Sequence, residues 1–143
     1  KFFTVIAVVC YLFIATNCFP TVELSPTIEL IQKCSEENQV SLEDANQLVK
    51  HLMEARNQNE KCLLSCYLKG REYYVNGEID FGKMLEFHKK FLSPEQQKEL
   101  ERIFKDCEDN FDYTNKDECQ VAYDAYSCAQ PNKSPQMFPS YVV

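Results

Sequence analysis

Six cysteines in the central and C-terminal parts of the chain constrain its fold more than any other feature. They are separated in order by 27, 3, 40, 11 and 8 residues and occupy Cys34, Cys62, Cys66, Cys107, Cys119 and Cys128. An even set of cysteines in a short domain is typical of a disulfide framework formed in an oxidising compartment. We therefore predict an oxidised, crosslinked domain that is exported from the cell.

The first 18 residues predict that export. They begin with one basic residue, continue through an uncharged apolar core and end with small side chains. This core is too short for a comfortable membrane span and has the pattern of a secretory signal peptide over residues 1–18. Cleavage after Cys18 would remove Cys10 and Cys18 and leave a domain over residues 19–143 with six cysteines, and cleavage one residue earlier, which would leave Cys18 as an odd thiol, is the alternative. We expect a secreted, extracellular protein without stable membrane insertion.

The acidic composition argues against one class of partner. The chain has a net charge of −7, and because residues 1–18 contain one basic and no acidic residue, the remainder carries −8. A surface of this sign repels phosphate groups, so neither nucleic acid nor an anionic membrane is an expected partner. The remaining length of about 125 residues suits one domain with a modest core, which disulfides would reinforce.

Helix start signals divide residues 25–130 into six predicted helices with apolar residues three and four positions apart. An Asn-Gly pair predicts a turn between the third and fourth helices. Three glycines and the lack of alternating apolar runs argue against a β-sandwich, so the predicted class is all-α. The predicted helices begin near Ser25, Ser41, Glu60, Asp80, Ser93 and Thr114, the third ending near Tyr73 and the sixth near Gln130.

Helix geometry limits how the cysteines can pair. Cys62 and Cys66 are four residues apart on one helix face, so their Cβ atoms point the same way and do not suit a bond to each other. Cys119 and Cys128 lie roughly 13 Å apart along the sixth helix and on opposite sides of it. Several of the fifteen connectivities remain open, and in all of them the third and sixth helices are each tied to two places.

Zinc binding and catalysis are competing uses of such residues. The sequence has no close quartet of Cys and His for zinc, so no metal site is expected. His51 and His88 are the two histidines, and neither has an evident nucleophile partner. No phosphate-binding loop occurs either. We predict a protein that is not an enzyme and needs no cofactor.

Two short motifs carry a family resemblance. Cys62-Leu-Leu-Ser-Cys66 has three residues between its cysteines, and Cys119-Gln-Val-Ala-Tyr-Asp-Ala-Tyr-Ser-Cys128 has eight. With these motifs, the first gap of 27 residues and the Asn-Gly turn after the third helix, the chain resembles the insect odorant-binding proteins of the pheromone- and general-odorant-binding type. The resemblance covers about residues 25–130.

The resemblance implies both a fold and a function. The implied fold is a six-helix, disulfide-stapled domain around an apolar cavity. The implied function is a soluble extracellular carrier that binds a small hydrophobic ligand reversibly, such as an odorant, a pheromone or a lipid-like molecule, and delivers it to an olfactory receptor. The implied disulfides are Cys34–Cys66, Cys62–Cys119 and Cys107–Cys128.

A second function remains open. The same disulfide-stapled helices with a filled core would suit a secreted interaction or scavenger protein of saliva, venom or reproductive fluid. For either function we expect a monomer or a weak homodimer.

The candidate pocket walls are apolar and aromatic residues on the predicted inner faces, where plain core packing is the alternative role. A tyrosine hydroxyl could bond a ligand oxygen, although hydroxyls exposed to solvent or bonded to backbone are commoner. His88 is hypothesised to loosen the ligand on acidification, with a solvent-exposed spectator as the alternative. The candidates are Met53, Tyr67, Met84, Phe87, His88, Phe91, Leu100, Ile103, Phe104, Tyr123 and Tyr126.

The C-terminal tail, residues 131–143, is predicted to form an extended lid. Its three prolines exclude a regular helix. Phe138, Tyr141 and Val142 would cover the pocket, and a disordered chain end is the alternative.

Overall fold

Six helices and one short hairpin make up the described part of the chain. The structure, a computed structural model, describes residues 25–129, so the predicted signal peptide and lid lie outside the described residues. The all-α, disulfide-stapled class predicted from the sequence is confirmed. The elements are α1 (Pro26–Glu37), α2 (Leu42–Val49), α3 (Gln58–Gly70), β1 (Tyr74–Val75), β2 (Glu78–Ile79), α4 (Phe81–Lys89), α5 (Pro94–Asn110) and α6 (Glu118–Cys128).

Side-chain caps determine where these helices begin. Each cap accepts a hydrogen bond from a backbone N–H of the first turn, which has no partner within the helix. In α5 the cap is reciprocal, because Ser93 also donates its own N–H to the side chain of Gln96 at 2.9 Å. The six caps are Ser25, Ser41, Asn57, Asp80, Ser93 and Asp117.

Helix α3 ends earlier than the sequence pattern predicts. It stops at Gly70 and not near Tyr73, because Glu72 adopts a φ of 58° and turns the chain into a hairpin. The hairpin pairs β1 with β2 in antiparallel register. Its turn is the predicted Asn76-Gly77 pair, in which both residues have positive φ, 55° and 85°. Two such residues give a hairpin turn whose twist matches that of the strands.

Helix α6 begins later than predicted. It starts at Glu118 and not near Thr114. Asn115 has a φ of 55°, which is incompatible with a right-handed helix through this segment. Asp117 then accepts the N–H of Gln120 at 2.8 Å and caps the helix.

Helices α3 and α6 occupy the centre of the crosslinked domain. α3 packs against α1, α2 and α6, whereas α4 packs against α5. The disulfides tie α1 to α3, α3 to α6 and α5 to α6, so the prediction that neither α3 nor α6 forms a disulfide within itself is confirmed. The bonded pairs match those implied by the family resemblance and have Cα–Cα distances of 5.6, 4.4 and 5.9 Å for Cys34–Cys66, Cys62–Cys119 and Cys107–Cys128.

Candidate functional site

Helix α4 presents three of the candidate pocket residues on one face, and a fourth follows two residues after its end. Asp80 fixes the start of the helix by accepting the N–H of Lys83 at 2.7 Å. Residues three and four positions apart then share a face. Met84, near the start of that face, is buried, and Phe91, just after the helix, is 42% exposed. In order, these residues are Met84, Phe87, His88 and Phe91.

Five rings from three parts of the chain form what we call the aromatic interior: Tyr73, Phe81, Phe87, His88 and Phe104. Ring centroids lie 5.4 Å apart for Phe87 and His88, 6.1 Å for His88 and Phe104, and 6.4 Å for Phe81 and Phe104. Tyr73 lies 6.4 Å from Phe87. Tilted and edge-to-face pairs at these distances are favourable. His88 therefore lies between two phenyl rings and is half-buried, not solvent-exposed, and its effect on ligand release at low pH stays a prediction.

Tyr126 joins α6 to the end of α2. Its hydroxyl donates to the carbonyl of Leu48 and accepts the backbone N–H of His51 at 3.2 Å. The rings of His51 and Tyr126 are stacked, with centroids 3.7 Å apart and an interplanar angle of 4°. These contacts hold the sharp turn after α2, in which His51 has a φ of 57°, a value uncommon for a residue other than glycine.

Both histidines are neutral near pH 7. Burial, with a smaller contribution from the charge of His88, lowers the pKa of His51 to about 3. Burial and then the positive charge of Arg71 lower the pKa of His88 to about 4. The imidazoles are therefore polar but uncharged groups at neutral pH.

The candidate pocket residues divide by exposure. Phe91, 42% exposed, lies at the edge of the aromatic interior with its ring 5.4 Å from that of Phe87. The half-buried candidates are Met53, Phe87, His88, Ile103 and Tyr123. Those less than 9% exposed are Tyr67, Met84, Leu100, Phe104 and Tyr126. Burial alone does not distinguish a pocket wall from a packed core, so their contact with a ligand stays a prediction.

The three candidate tyrosine hydroxyls differ in what they bond. That of Tyr126 is committed to backbone, as described above. Tyr123 lies towards the surface, where the ammonium of Lys61 sits 5.1 Å from its ring centroid. Burial raises the pKa of Tyr67, whose hydroxyl has no hydrogen-bond partner among residues 25–129. Tyr67 is therefore the candidate best able to bond a ligand oxygen.

Arg71 is a site residue that the sequence analysis missed. It caps the C-terminus of α3 and is half-buried. Its Nη1 donates to the hydroxyl of Thr27 at 3.1 Å and its Nη2 to the hydroxyl of Tyr73 at 3.3 Å. Its Cζ lies 4.5 Å from the ring centroid of Phe87. The available signal was an arginine just after a helix, followed two positions later by an aromatic residue.

Two surface depressions lie away from the aromatic interior, and none of the candidate pocket residues lines either. One, of about 560 Å³, surrounds Glu60, whose carboxylate is 3% exposed and 2.7 Å from Nη2 of Arg56. Burial acts to raise the pKa of Glu60, but hydrogen bonds from Arg56 outweigh it and lower that pKa. The other, of about 440 Å³, lies beside two disulfides between Lys33 and Glu118. Their charged linings suit polar contacts.

Two further observations concern metals and membranes. Among residues 25–129, no group of three or more His, Cys, Asp or Glu side chains could hold a metal ion. In the same described range, every helix is too short or too polar to cross a membrane.

The six helices, interlocked disulfides and neutral aromatic interior define a class of small, crosslinked all-α domains. A comparison with protein families matches residues 25–132 to the PBP/GOBP family, the insect pheromone- and odorant-binding proteins. Because this match covers most of the chain, the protein belongs to that family, a family of binding proteins for small hydrophobic ligands. Searches of the curated proteins and of the solved structures found no match.

Proposed function

We propose that this protein binds a small hydrophobic ligand reversibly against the aromatic interior and carries it through an aqueous fluid. The observation that carries the proposal is membership of a ligand-binding family over residues 25–132. The chemistry of the interior supports it, because aromatic rings, a neighbouring methionine and a neutral imidazole favour contact with an apolar molecule. Met84 is flexible and polarisable, which suits ligands of varied shape.

The disulfides can offset the loss of stability that an internal cavity causes. An unfilled cavity lacks packing contacts and so lowers stability. In a core without crosslinks the loss is on the order of 2–5 kcal/mol for a missing large side chain. Each crosslink lowers the entropy of the unfolded chain and contributes about 2–4 kcal/mol to stability. Three such bonds tie four helices together, with α1 bonded to α3, α3 to α6, and α6 to α5. The frame can therefore stay folded with space left for a ligand.

The proposal extends to location and delivery. We propose that residues 1–18 direct secretion and that the protein acts outside the cell as a monomer or weak homodimer. The ligand would be delivered to an olfactory receptor, and Phe138, Tyr141 and Val142 would cover the bound molecule.

Displacement of a fluorescent apolar probe tests the proposal. The oxidised protein should bind N-phenyl-1-naphthylamine with increased fluorescence, and medium-chain alcohols or esters should displace the probe. Phe87→Ala should weaken probe binding, because this half-buried ring belongs to the aromatic interior. Val75→Ala is the matched control, since Val75 is 49% exposed on the hairpin. Absence of probe binding by the folded protein would instead favour a secreted interaction protein.

A further inference from the structure

The guanidinium of Arg71 is held at the boundary of the aromatic interior. Its hydrogen bonds reach Thr27 on α1 and Tyr73 beside the hairpin, and it lies over the face of Phe87 on α4. Three separate elements therefore fix its position. An arginine held in this way loses little further side-chain freedom when it binds a planar anion.

The charge of Arg71 is not neutralised by the described protein. Of the three arginines, Arg56 and Arg102 form ion pairs with carboxylates, whereas Arg71 forms none with residues 25–129. The neighbouring carboxylate of Glu72 is bound by Lys83 at 2.6 Å. The groups that hold Arg71 are two neutral hydroxyls and two aromatic rings.

Donors remain for a ligand. A guanidinium has five N–H bonds, and Arg71 uses two of them on Thr27 and Tyr73. The others have no acceptor among the described side chains and backbone. Tyr67 lies one helical turn before Arg71 on α3, and its hydroxyl likewise has no partner in residues 25–129. Two adjacent side chains thus offer hydrogen bonds beside an apolar surface.

We propose that Arg71 and the Tyr67 hydroxyl bind the carboxylate of a fatty acid whose hydrocarbon chain lies along the aromatic interior. Arginine and carboxylate match in geometry, and charge-assisted hydrogen bonds between them are about twice as strong as neutral ones. The chain of the acid would contact Phe87 and the rings packed against it. This proposal rests on the carrier function proposed above and specifies the chemical class of its ligand.

Comparison of three ligands with equal chains tests the proposal. Dodecanoic acid, dodecan-1-ol and methyl dodecanoate should each compete with N-phenyl-1-naphthylamine at pH 8. A site with apolar contacts alone favours the alcohol and the ester, because an unpaired carboxylate loses hydration on burial. A site with the Arg71 anchor should instead bind the acid about tenfold more tightly than the alcohol.

Variants then test whether Arg71 and Tyr67 cause the preference for the acid over the alcohol. Arg71→Gln should reduce the acid-to-alcohol preference to about one, and Tyr67→Phe should reduce it a few-fold. Arg102→Gln is the control, because Arg102 is exposed and bound to Glu99, and it should keep the full preference. Arg71→Lys keeps the charge but lacks the planar fork, so it should keep part of the preference.

The outcomes separate the two proposals. If the unaltered protein binds the probe but prefers the alcohol or shows no preference, the anchor is overturned while the carrier function stands. The anchor is also overturned if folded Arg71→Gln, checked by circular dichroism, keeps the preference for the acid. If the unaltered protein binds neither probe nor ligands, the carrier function itself fails.

Discussion

Replacement of Tyr126 by phenylalanine removes one hydroxyl from the junction of α2 and α6. That hydroxyl donates to the carbonyl of Leu48 and accepts the N–H of His51. The aromatic ring, its burial and its stack on His51 remain. The substitution therefore isolates the hydrogen bonds that hold the turn after α2 against α6.

The expected loss of stability depends on which hydrogen bonds the backbone groups of Leu48 and His51 keep in the variant. The N–H of His51 also donates to the carbonyl of Leu48 at 3.0 Å, so loss of the Tyr126 hydroxyl leaves neither backbone group without a partner. The variant then loses net hydrogen-bond stability, about 1 kcal/mol, and avoids the larger penalty of an orphaned buried group. The free energy of unfolding of Tyr126→Phe should fall by about that amount.

Urea unfolding of the oxidised protein, followed by circular dichroism, measures this change. Tyr113→Phe is the matched control, because the Tyr113 hydroxyl also accepts a backbone N–H, that of Ile79 at 3.1 Å, but its side chain is 39% exposed. Water can replace that hydroxyl, so the control should lose about 0.5 kcal/mol or less. A smaller loss for Tyr126→Phe than for the control, or a loss above about 3 kcal/mol, would refute the reasoning.

Three further results are expected. Replacing Cys62 and Cys119 together with serine should lower the free energy of unfolding by about 4 kcal/mol in urea titrations, because their bond closes a separation of 57 residues. Ser93→Ala should lower it by about 1 kcal/mol through loss of the α5 capping box. Burial holds the pKa of His51 at about 3 and that of His88 at about 4, below the ordinary 6.5, so the unfolded chain binds protons first as pH falls. Their stabilising contribution is complete above pH 6.5 and should fall by about 2 kcal/mol per unit between pH 6 and 5, measured as Tm and urea midpoints against pH.

The helices were predictable where caps and apolar spacing agree. Ser93 followed by Pro94 marks the start of α5, and the capping box forms there. Glu72 and Asn115 both adopt positive φ, which ends α3 early and delays α6. Glutamate rarely adopts positive φ, so the local sequence gives no sign of the break at Glu72, whereas asparagine adopts it more often and Asn115 carried a weak local signal.

The candidate site was only partly predictable. The face of α4 follows from helical periodicity, which placed His88 on the same side as Met84. Periodicity does not predict which polar groups meet across the fold. Arg71 reaches Thr27, 44 residues away in the chain, and Tyr126 reaches Leu48, 78 residues away. These contacts depend on how α1 packs against α3 and how α2 meets α6, which the linear pattern does not determine.

The most direct test of a ligand-binding interior uses the methionine methyl groups. The chain has three methionines, Met53, Met84 and Met137, so protein labelled with 13C at these methyl groups gives a simple NMR spectrum. Addition of a ligand that displaces the probe should shift the signals of Met84 and Met53, which lie in and against the core. If neither methyl signal shifts when the protein is saturated with such a ligand, the ligand binds at another site, and binding in the interior is contradicted.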